Sequence, residues 1–220
     1  MPPAPATAPR PARQDRSLRT QERILAAMET LLAEAPDGEI TMEQLAERAH
    51  VSVGAIYKRF QGKDSLLPLV LERVHAQQSE LLRGYLARPH WPQVGLAGRI
   101  DALLQAFAAS QQARARLIRA LVVGHWQSAD GAAMEARSAE LLGTVHAWLG
   151  ERMEEIHHPE PKLALSLGLF ATLQTLQTAV LFDRIPPTLG LERFVAEMAR
   201  MYCRYLGLPE DGEAAAPRSG

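Results

Sequence analysis

The chain has 220 residues, of which 47% are hydrophobic and 22% charged, a composition that excludes wholesale disorder and allows a sizeable buried core. Its formal net charge is only −1, so the overall charge does not indicate a nucleic-acid-binding protein. The single cysteine, Cys203, excludes an internal disulfide and suits a reducing cytoplasm. We expect no export signal, because the start of the chain has no apolar core of sufficient length.

The two ends of the chain are predicted to be disordered. Residues 1–16 begin with a Pro/Ala-rich stretch and form a basic arm, while residues 209–220 are rich in Gly, Ala, Pro and acidic side chains. Two interpretations of the arm stay open: contact with DNA phosphates or a minor groove, and a solvated leader without a partner. The arginines concerned, which recur every three or four residues, are Arg10, Arg13, Arg16, Arg19 and Arg23.

Four helices are predicted in the first part of the chain. The first covers 17–35, where apolar residues from Ile24 to Leu32 form one stripe, and Pro36-Asp37-Gly38 ends it. The second begins at Thr41, which forms a capping box with Gln44. A short third helix covers 52–60, and after Gln61-Gly62 a long fourth helix runs from 63 to about 86.

The rest of the chain also shows only helical periodicity. We find no convincing alternation of apolar and polar residues of the kind that a strand requires. Breaks at Asp130-Gly131, at 158–161 and at Pro186-Pro187 separate the later segments. The sequence therefore predicts an all-α fold of about nine helices, the last five at 96–110, 113–127, 131–156, 162–183 and 191–206.

The segment 162–183 carries no charge between its two end residues, so it is long enough to span a membrane. Polar residues such as Ser166, Gln174 and Gln177 interrupt it, and neither flank has an aromatic or strongly cationic anchor. We therefore interpret it as a helix buried on several sides, and we predict no membrane association. With the stripe of 191–206 it can pack against a second copy as a four-helix bundle, which predicts a homodimer.

The most informative segment is 40–67, which reads ITMEQLAERAHVSVGAIYKRFQGKDSLL. Two short helices are separated by a three-to-four-residue turn around His50, which is the helix-turn-helix arrangement. Ala46 is small where the two helices would cross, and Val51 and Ile56 are apolar where the hinge must be buried. The turn often needs a positive φ, and a histidine tolerates this conformation better than most residues other than glycine.

This segment resembles the DNA-binding signature of the TetR (tetracycline-repressor-like) family, and the resemblance covers roughly residues 18–67. It implies a three-helix DNA-binding domain at 17–64 and a larger helical domain at 65–208 for ligand binding and dimerisation. Beyond residue 67 the resemblance is only architectural, so no particular ligand can be carried over. The residues that carry it are Thr41, Leu45-Ala46, Ala49, Val51-Ser52, Gly54, Ile56-Tyr57, Phe60, Lys63-Asp64 and Leu66-Leu67.

In a helix-turn-helix the second helix enters the major groove with its first residues at the base edges. Gly54 permits close approach of the backbone, and Lys63 at the start of the fourth helix would attract a phosphate together with free N–H groups. An isolated cation is more simply a solvated charge, and only the motif favours DNA contact. Ile56 and Phe60 are expected in the core. The predicted DNA-binding residues are Thr41, Ser52, Val53, Gly54, Ala55, Tyr57, Lys58, Arg59 and Lys63.

The resemblance also implies a small-molecule pocket between the central helices, and an apolar cavity with few polar groups suits a hydrophobic or aromatic effector. Large apolar or polar-tipped side chains on the predicted inner helices are candidates for its lining. Each of them, taken singly, is equally a core residue. The candidates are Phe107, Leu121, His125, Trp126, Met134, His146, Trp148, Phe170 and Gln174.

No enzyme signature is present, and we predict no catalytic residue, no cofactor and no metal site. No histidine pair at i, i+4 has an acidic partner, and the cluster Glu151, Glu154 and Glu155 is interpreted as a solvated helix face. We therefore predict a cytoplasmic, dimeric repressor that a small effector releases from a palindromic operator. The alternatives are a helical binding protein or small enzyme with a vestigial DNA-binding head, and a constitutive DNA-binding protein without effector control.

Overall fold

The structure is a computed structural model that describes residues 11–34, 40–125 and 131–209, without the side chains of 11–14, 64, 122–125, 131–135 and 137. These residues form α-helices joined by short turns, which confirms the predicted all-α fold. The helices of this part of the chain are α1 (Pro11–Glu34), α2 (Met42–Ala49), α3 (Val53–Tyr57), α4 (Leu67–Leu86), α5 (Leu96–Ala113), α6 (Ala115–His125), α7 (Gly131–Gly150), α8 (Pro161–Leu181) and α9 (Leu191–Tyr205).

Helix α1 begins at Pro11 and not at residue 17, so residues 11–16, which were predicted to belong to a disordered arm, are helical. Proline is well tolerated at the first position of a helix, because the N–H that it lacks has no intrahelical acceptor there. The residues that follow, Ala12, Arg13 and Gln14, are good helix formers. The basic segment therefore extends a helix, and its earlier part, residues 1–10, lies outside the described residues.

Two other helix boundaries differ from the prediction. Helix α4 begins at Leu67, four residues after Lys63, because Pro68 favours the first turn of a helix and cannot stand in its interior. Lys63 instead begins a separate 3-10 turn, Lys63–Ser65. Helix α7 ends at Gly150 and not at 156, and a second 3-10 turn, Met153–Glu155, follows it.

The first hydrophobic cluster of the described residues, called here the head core, packs α1, α2 and α3 against the first half of α4. Ile24, Met28, Leu45 and Ile56 lie in it almost without solvent contact. Helix α6 completes the cluster with Leu117 and Leu121. The N-terminal helices therefore share their core with a helix from the second half of the chain.

The second cluster, called here the body core, contains residues of α5, α7, α8 and α9. Helices α8 and α9 pack closely because Gly168 leaves room for the ring of Tyr202, which a Cβ at that position would overlap. The Tyr202 hydroxyl donates to the carbonyl oxygen of Leu165 at 2.6 Å. Burial raises the pKa of the Tyr202 phenol, so this donor stays protonated throughout the physiological range.

Among the described residues one helix, α8, has the length and apolar composition that could cross a membrane. It packs against α5, α7 and α9 in the body core, with Leu165, Leu169 and Leu176 buried. Its other face leaves Leu163, Leu167 and Phe170 about half exposed. The helix is thus the central helix of the body core, and one apolar stripe on it has no partner among the residues that the structure describes.

A buried guanidinium joins the start of α5 to the end of α7. Arg99 is 1% exposed, and it donates to the carbonyl oxygens of Trp148 at 2.7 Å, Trp91 at 3.0 Å and Val94 at 3.3 Å. Its charge is balanced by the carboxylate of Glu151 at 2.9 Å. Since a buried charge is tolerated only when it is paired and hydrogen-bonded, this arrangement satisfies the requirement.

The interpretation of the glutamate cluster as a solvated helix face is wrong for Glu155 and incomplete for Glu151, while Glu154 is exposed. Glu151 pairs with Arg99, and the Glu155 carboxylate accepts from the backbone N–H of Leu96 at 2.7 Å. Glu155 thereby caps the first turn of α5, where free N–H groups and the helix dipole favour a negative charge. Tertiary contacts made by residues far apart in the sequence decide the position of these carboxylates.

Replacing Arg99 by leucine should lower the free energy of unfolding by about 3 kcal/mol, because three buried carbonyl oxygens lose their donor. The matched control is Glu154→Gln, which removes an exposed carboxylate of the same glutamate cluster and should cost less than about 0.5 kcal/mol. Urea unfolding followed by circular dichroism measures both. Equal losses in the two variants would contradict the assignment of the stabilisation to the buried carbonyl contacts.

Candidate DNA-binding surface

The start of α2 is fixed by the predicted capping box. The Thr41 hydroxyl oxygen accepts from the backbone N–H of Gln44 at 3.2 Å, and the Gln44 side chain accepts from the Thr41 N–H at 2.9 Å. The end of α2 is held by an ion pair between Arg48 and Glu34 of α1. The hydrogen bond from Arg48 lowers the pKa of the Glu34 carboxyl below its usual value, so the pair stays charged at neutral pH.

The turn between α2 and α3 adopts the left-handed conformation that the sequence suggested. His50 has φ 53° and ψ 49°, and its position lets the N–H of Val51 donate to the carbonyl oxygen of Ala46 at 3.0 Å. The positive φ of His50 ends α2 and turns the backbone into the direction of α3 within one residue. The two helices cross where Ala46 and Ala49 are buried.

Helix α3 has only five residues, Val53–Tyr57, fewer than the predicted 52–60. Ser52 caps it by accepting from the N–H of Ala55 at 3.2 Å, as predicted. Ile56 is fully buried and Phe60 nearly so, which confirms their assignment to the core. A five-residue helix cannot hold itself in water, so these two apolar anchors and the serine cap fix its position.

The opposite face of α3 lies open to solvent. Tyr57 is 56% exposed, Gly54, Lys58 and Arg59 are exposed, and Val53 and Ala55 are half-buried. The Arg59 guanidinium donates to the carbonyl oxygen of Ala55 at 3.0 Å, so it lies back along its own helix. The structure thus brings seven of the nine predicted residues, 52–55 and 57–59, onto one short protruding segment.

Thr41 and Lys63 lie on the flanks of α3, in different elements. Thr41 is exposed at the start of α2, and its hydroxyl hydrogen is not used by the cap. Lys63 is half-buried in the 3-10 turn before α4. The expectation that the first turn of α4 assists Lys63 in attracting a phosphate is wrong, because that turn begins only at Leu67.

Gly54 has no internal reason to be glycine. Its φ is not positive, and a Cβ built on it would meet no other atom within 4 Å. Glycine lowers the stability of a helix relative to alanine. Among the described residues nothing approaches Gly54 closely, so the position is open to a molecule from outside.

The sequence missed the side chains that hold α4 against α1. Arg73 of α4 ion-pairs with Glu22 and, at 3.2 Å, with Glu29. The available signal was the charged pair Glu72-Arg73 within the otherwise apolar segment from Leu66 to Val74. Since the acids lie more than forty positions away, only the tertiary structure pairs them.

The predicted effector residues do not gather around one cavity in the described part of the chain. Leu121 is buried in the head core, Trp148 is buried beside Arg99, and Phe107 packs at the edge of the body core. Phe170 and Gln174 lie on the exposed face of α8 and not on an inner face, because α8 buries its opposite side. His146 lies 3.0 Å from the Ser166 hydroxyl. The side chains of His125, Trp126 and Met134 are outside the described residues.

Comparison with known proteins supports the interpretation of this surface. Residues 24–70 match the family model described as bacterial regulatory proteins, tetR family. No curated protein sequence matches the chain. Among solved structures, one from Mesorhizobium loti, assigned to the TetR family of transcriptional regulators, superposes with a TM-score of 0.62 at 18% identity, covering 86% of this chain and 97% of that one.

Two further solved structures have the same fold. NalD, the secondary repressor of the MexAB-OprM multidrug efflux pump in Pseudomonas aeruginosa, gives a TM-score of 0.53 at 22% identity, covering 87% of this chain and 98% of that one. RolR in complex with resorcinol gives a TM-score of 0.52 at 18% identity, covering 90% of this chain and 98% of that one. Both likenesses cover far more of the chain than the segment that the family model matches.

Gly54→Ala should raise the free energy of unfolding by about 0.5–1 kcal/mol, because alanine favours the helix and the added methyl group meets nothing. Gly168→Ala is the contrasting control, since its methyl group would overlap the Tyr202 ring, and it should destabilise the protein. Thermal unfolding measures both. A destabilised Gly54→Ala variant would contradict the absence of an internal constraint at this position.

Proposed function

We propose that this chain is a DNA-binding transcriptional regulator of the TetR family, a cytoplasmic homodimeric repressor that a small effector releases from a palindromic operator. In this proposal residues 17–64 form the DNA-binding domain, and residues 65–208 bind the effector and dimerise. It acts by binding alone, without catalysis or cofactor. The repressor assignment draws on NalD, which is a repressor of the same fold.

The observation that carries the proposal is the open face of α3. Its backbone is fixed by Ser52, Ile56 and Phe60, while Gly54, Tyr57 and Lys58 are exposed to solvent. Val53 and Ala55 offer apolar contacts to thymine methyl groups, and Gly54 lets the backbone come close to the base edges. Thr41, Tyr57, Lys58 and Lys63 surround this tip at positions suited to phosphate oxygens.

We assign dimerisation to α8 and α9. Leu163, Leu167 and Phe170 recur at i, i+4 and i+7 along α8, and Met201 and Tyr205 at i, i+4 along α9, all of them exposed in the single chain. Contiguous exposed apolar stripes of this kind mark protein contact surfaces. Two copies of this helix pair form a four-helix interface with twofold symmetry, which places two α3 helices on successive major-groove faces, about 34–36 Å apart.

For the effector we propose a small hydrophobic or aromatic compound bound among the helices of the second domain. The solved structure of RolR, which has the same fold, contains the protein in complex with resorcinol, a small aromatic compound. Effector binding favours a conformer in which α4 moves the two heads out of register with the operator. Release then follows from the difference in effector affinity between the two conformers.

The wild-type protein should protect a palindromic site near its own gene in a footprinting experiment, and its DNA affinity should fall steeply with salt. The double variant Tyr57→Ala, Lys63→Ala should lose the protection, because it removes two contacts beside the tip of α3. Full protection by a folded double variant would refute the assignment of these residues.

The control for this experiment is Arg83→Ala, which removes an exposed cation from the second half of α4 and should leave the footprint unchanged.

Gly54→Ala provides the sharper test, since it should stabilise the protein yet weaken operator binding by at least about tenfold. If the DNA-binding head is vestigial, the wild-type protein should protect no site even at low salt. If the protein is a constitutive DNA-binding protein without effector control, it should protect DNA without sequence preference.

The variant Leu167→Glu, Phe170→Glu should convert the dimer to a monomer, because two charges would have to be buried at the twofold interface. Analytical ultracentrifugation at micromolar concentration measures the change. Leu81→Glu is the matched control, since Leu81 is 65% exposed but lies on α4. A dimer that persists in the double variant would place the interface elsewhere.

A further inference from the structure

A partly buried arginine lies where α5 meets α6, and among the described residues its charge has no counter-ion. Arg114 follows the last residue of α5, and its Nη1 is buried and has no hydrogen-bond partner. Its Nη2 lies 3.5 Å from the Gln77 amide oxygen of α4, at the limit of a hydrogen bond. Among the side chains that the structure describes, no carboxylate forms an ion pair with Arg114.

A second unsatisfied group lies one helical turn earlier. Gln111 is 6% exposed, and its Oε1 is buried without a partner. The backbone brings the two residues together, because the N–H of Arg114 donates to the carbonyl oxygen of Gln111 at 3.3 Å. An uncompensated charge and an uncompensated amide thus occur within a single turn, although buried polar groups in proteins are normally paired.

The surroundings of this pair are apolar on both sides. Ala108, one turn before Gln111, belongs to the body core, and Leu117, one turn after Arg114, belongs to the head core. Arg114 lies between the C-terminal end of α5, whose dipole end is negative, and the first turn of α6, whose dipole end is positive and which carries no acidic residue. These two dipole ends oppose each other, so the guanidinium itself supplies the positive potential. The position therefore favours a compact anion that is attached to an apolar body.

We propose that Arg114 and Gln111 recognise the carboxylate of an apolar small acid, and that this acid is the effector. The inference rests on the repressor function proposed above and narrows its effector to one chemical class. The carboxylate accepts from Arg114 Nη1, and the Gln111 amide, whose oxygen and nitrogen are interchangeable by a flip, supplies a second hydrogen bond. A single guanidinium matches a singly charged carboxylate better than a doubly charged phosphate ester.

The position also gives the acid a means of control. Helix α4 contributes Val70 and Val74 to the head core, while its last turn packs against the body core. Gln77 lies between these two ends and faces Arg114. A carboxylate on Arg114 changes what Gln77 and α4 contact, so its binding is coupled to the position of the head.

The first test needs no ligand. Arg114→Met keeps the length of the side chain and removes the unpaired charge, so the melting temperature of the ligand-free protein should be unchanged or higher. Arg116→Met, at an exposed neighbouring position, is the matched control. A drop in melting temperature of more than about 5 °C confined to Arg114→Met would show a structural role and overturn the proposal.

The second test uses benzoate, phenylacetate and octanoate, each beside its uncharged primary amide. At least one carboxylate should raise the melting temperature of the wild-type protein by about 3 °C or more at saturation, while its amide should not. Arg114→Met should weaken binding of that carboxylate at least tenfold, and Arg116→Met should not. Equal effects of acid and amide, an unchanged response in Arg114→Met, or no response to any of the three acids would overturn the proposal.

Fluorescence anisotropy with the operator found by footprinting separates this inference from the proposed function. The active carboxylate should lower the operator affinity of the wild-type protein and leave that of Arg114→Met unchanged. Absence of DNA binding without any acid would refute the proposed function alone, because the melting experiment does not depend on DNA. Normal DNA binding that no acid alters would refute the effector assignment alone.

Discussion

The burial of Ile56 and Phe60 in the head core is the interaction on which the rest of the structure depends. Helix α3 has five residues, too few to be stable in water, so nothing in its own backbone fixes its direction. The two side chains fill space between α1, α2 and α4, and Ser52 caps the N-terminal end of α3. Because its inner face is anchored so firmly, Gly54, Tyr57 and Lys58 on the outer face can remain open to solvent.

The same core explains how a distant event can reach the DNA-binding surface. It is completed by Leu117 and Leu121 of α6, and it also takes in the first half of α4. A change at the junction of α5 and α6 therefore acts on residues that touch α1 directly. Packed cores respond to such changes by moving between discrete arrangements, since they cannot deform continuously.

Prediction from the sequence succeeded where the structure depends on neighbours along the chain. The Thr41–Gln44 capping box, the positive φ of His50 and the Ser52 cap are all contained within three or four residues. Prediction failed where partners are distant. Glu151 and Glu155 were interpreted as solvated, but they contact Arg99 and the start of α5, more than fifty positions away.

The sequence by itself determined the helical class, the helix-turn-helix and the residues that the family signature marks, because periodicity, caps and turn chemistry act within one or two helical turns. Only the tertiary structure decided that α6 shares the head core, that Phe170 faces outward on α8, and that Arg114 is partly buried without a counter-ion among the described residues. Each of these depends on which surfaces meet in space. Helical periodicity identifies the apolar face of a helix, but it does not identify the helix that covers that face.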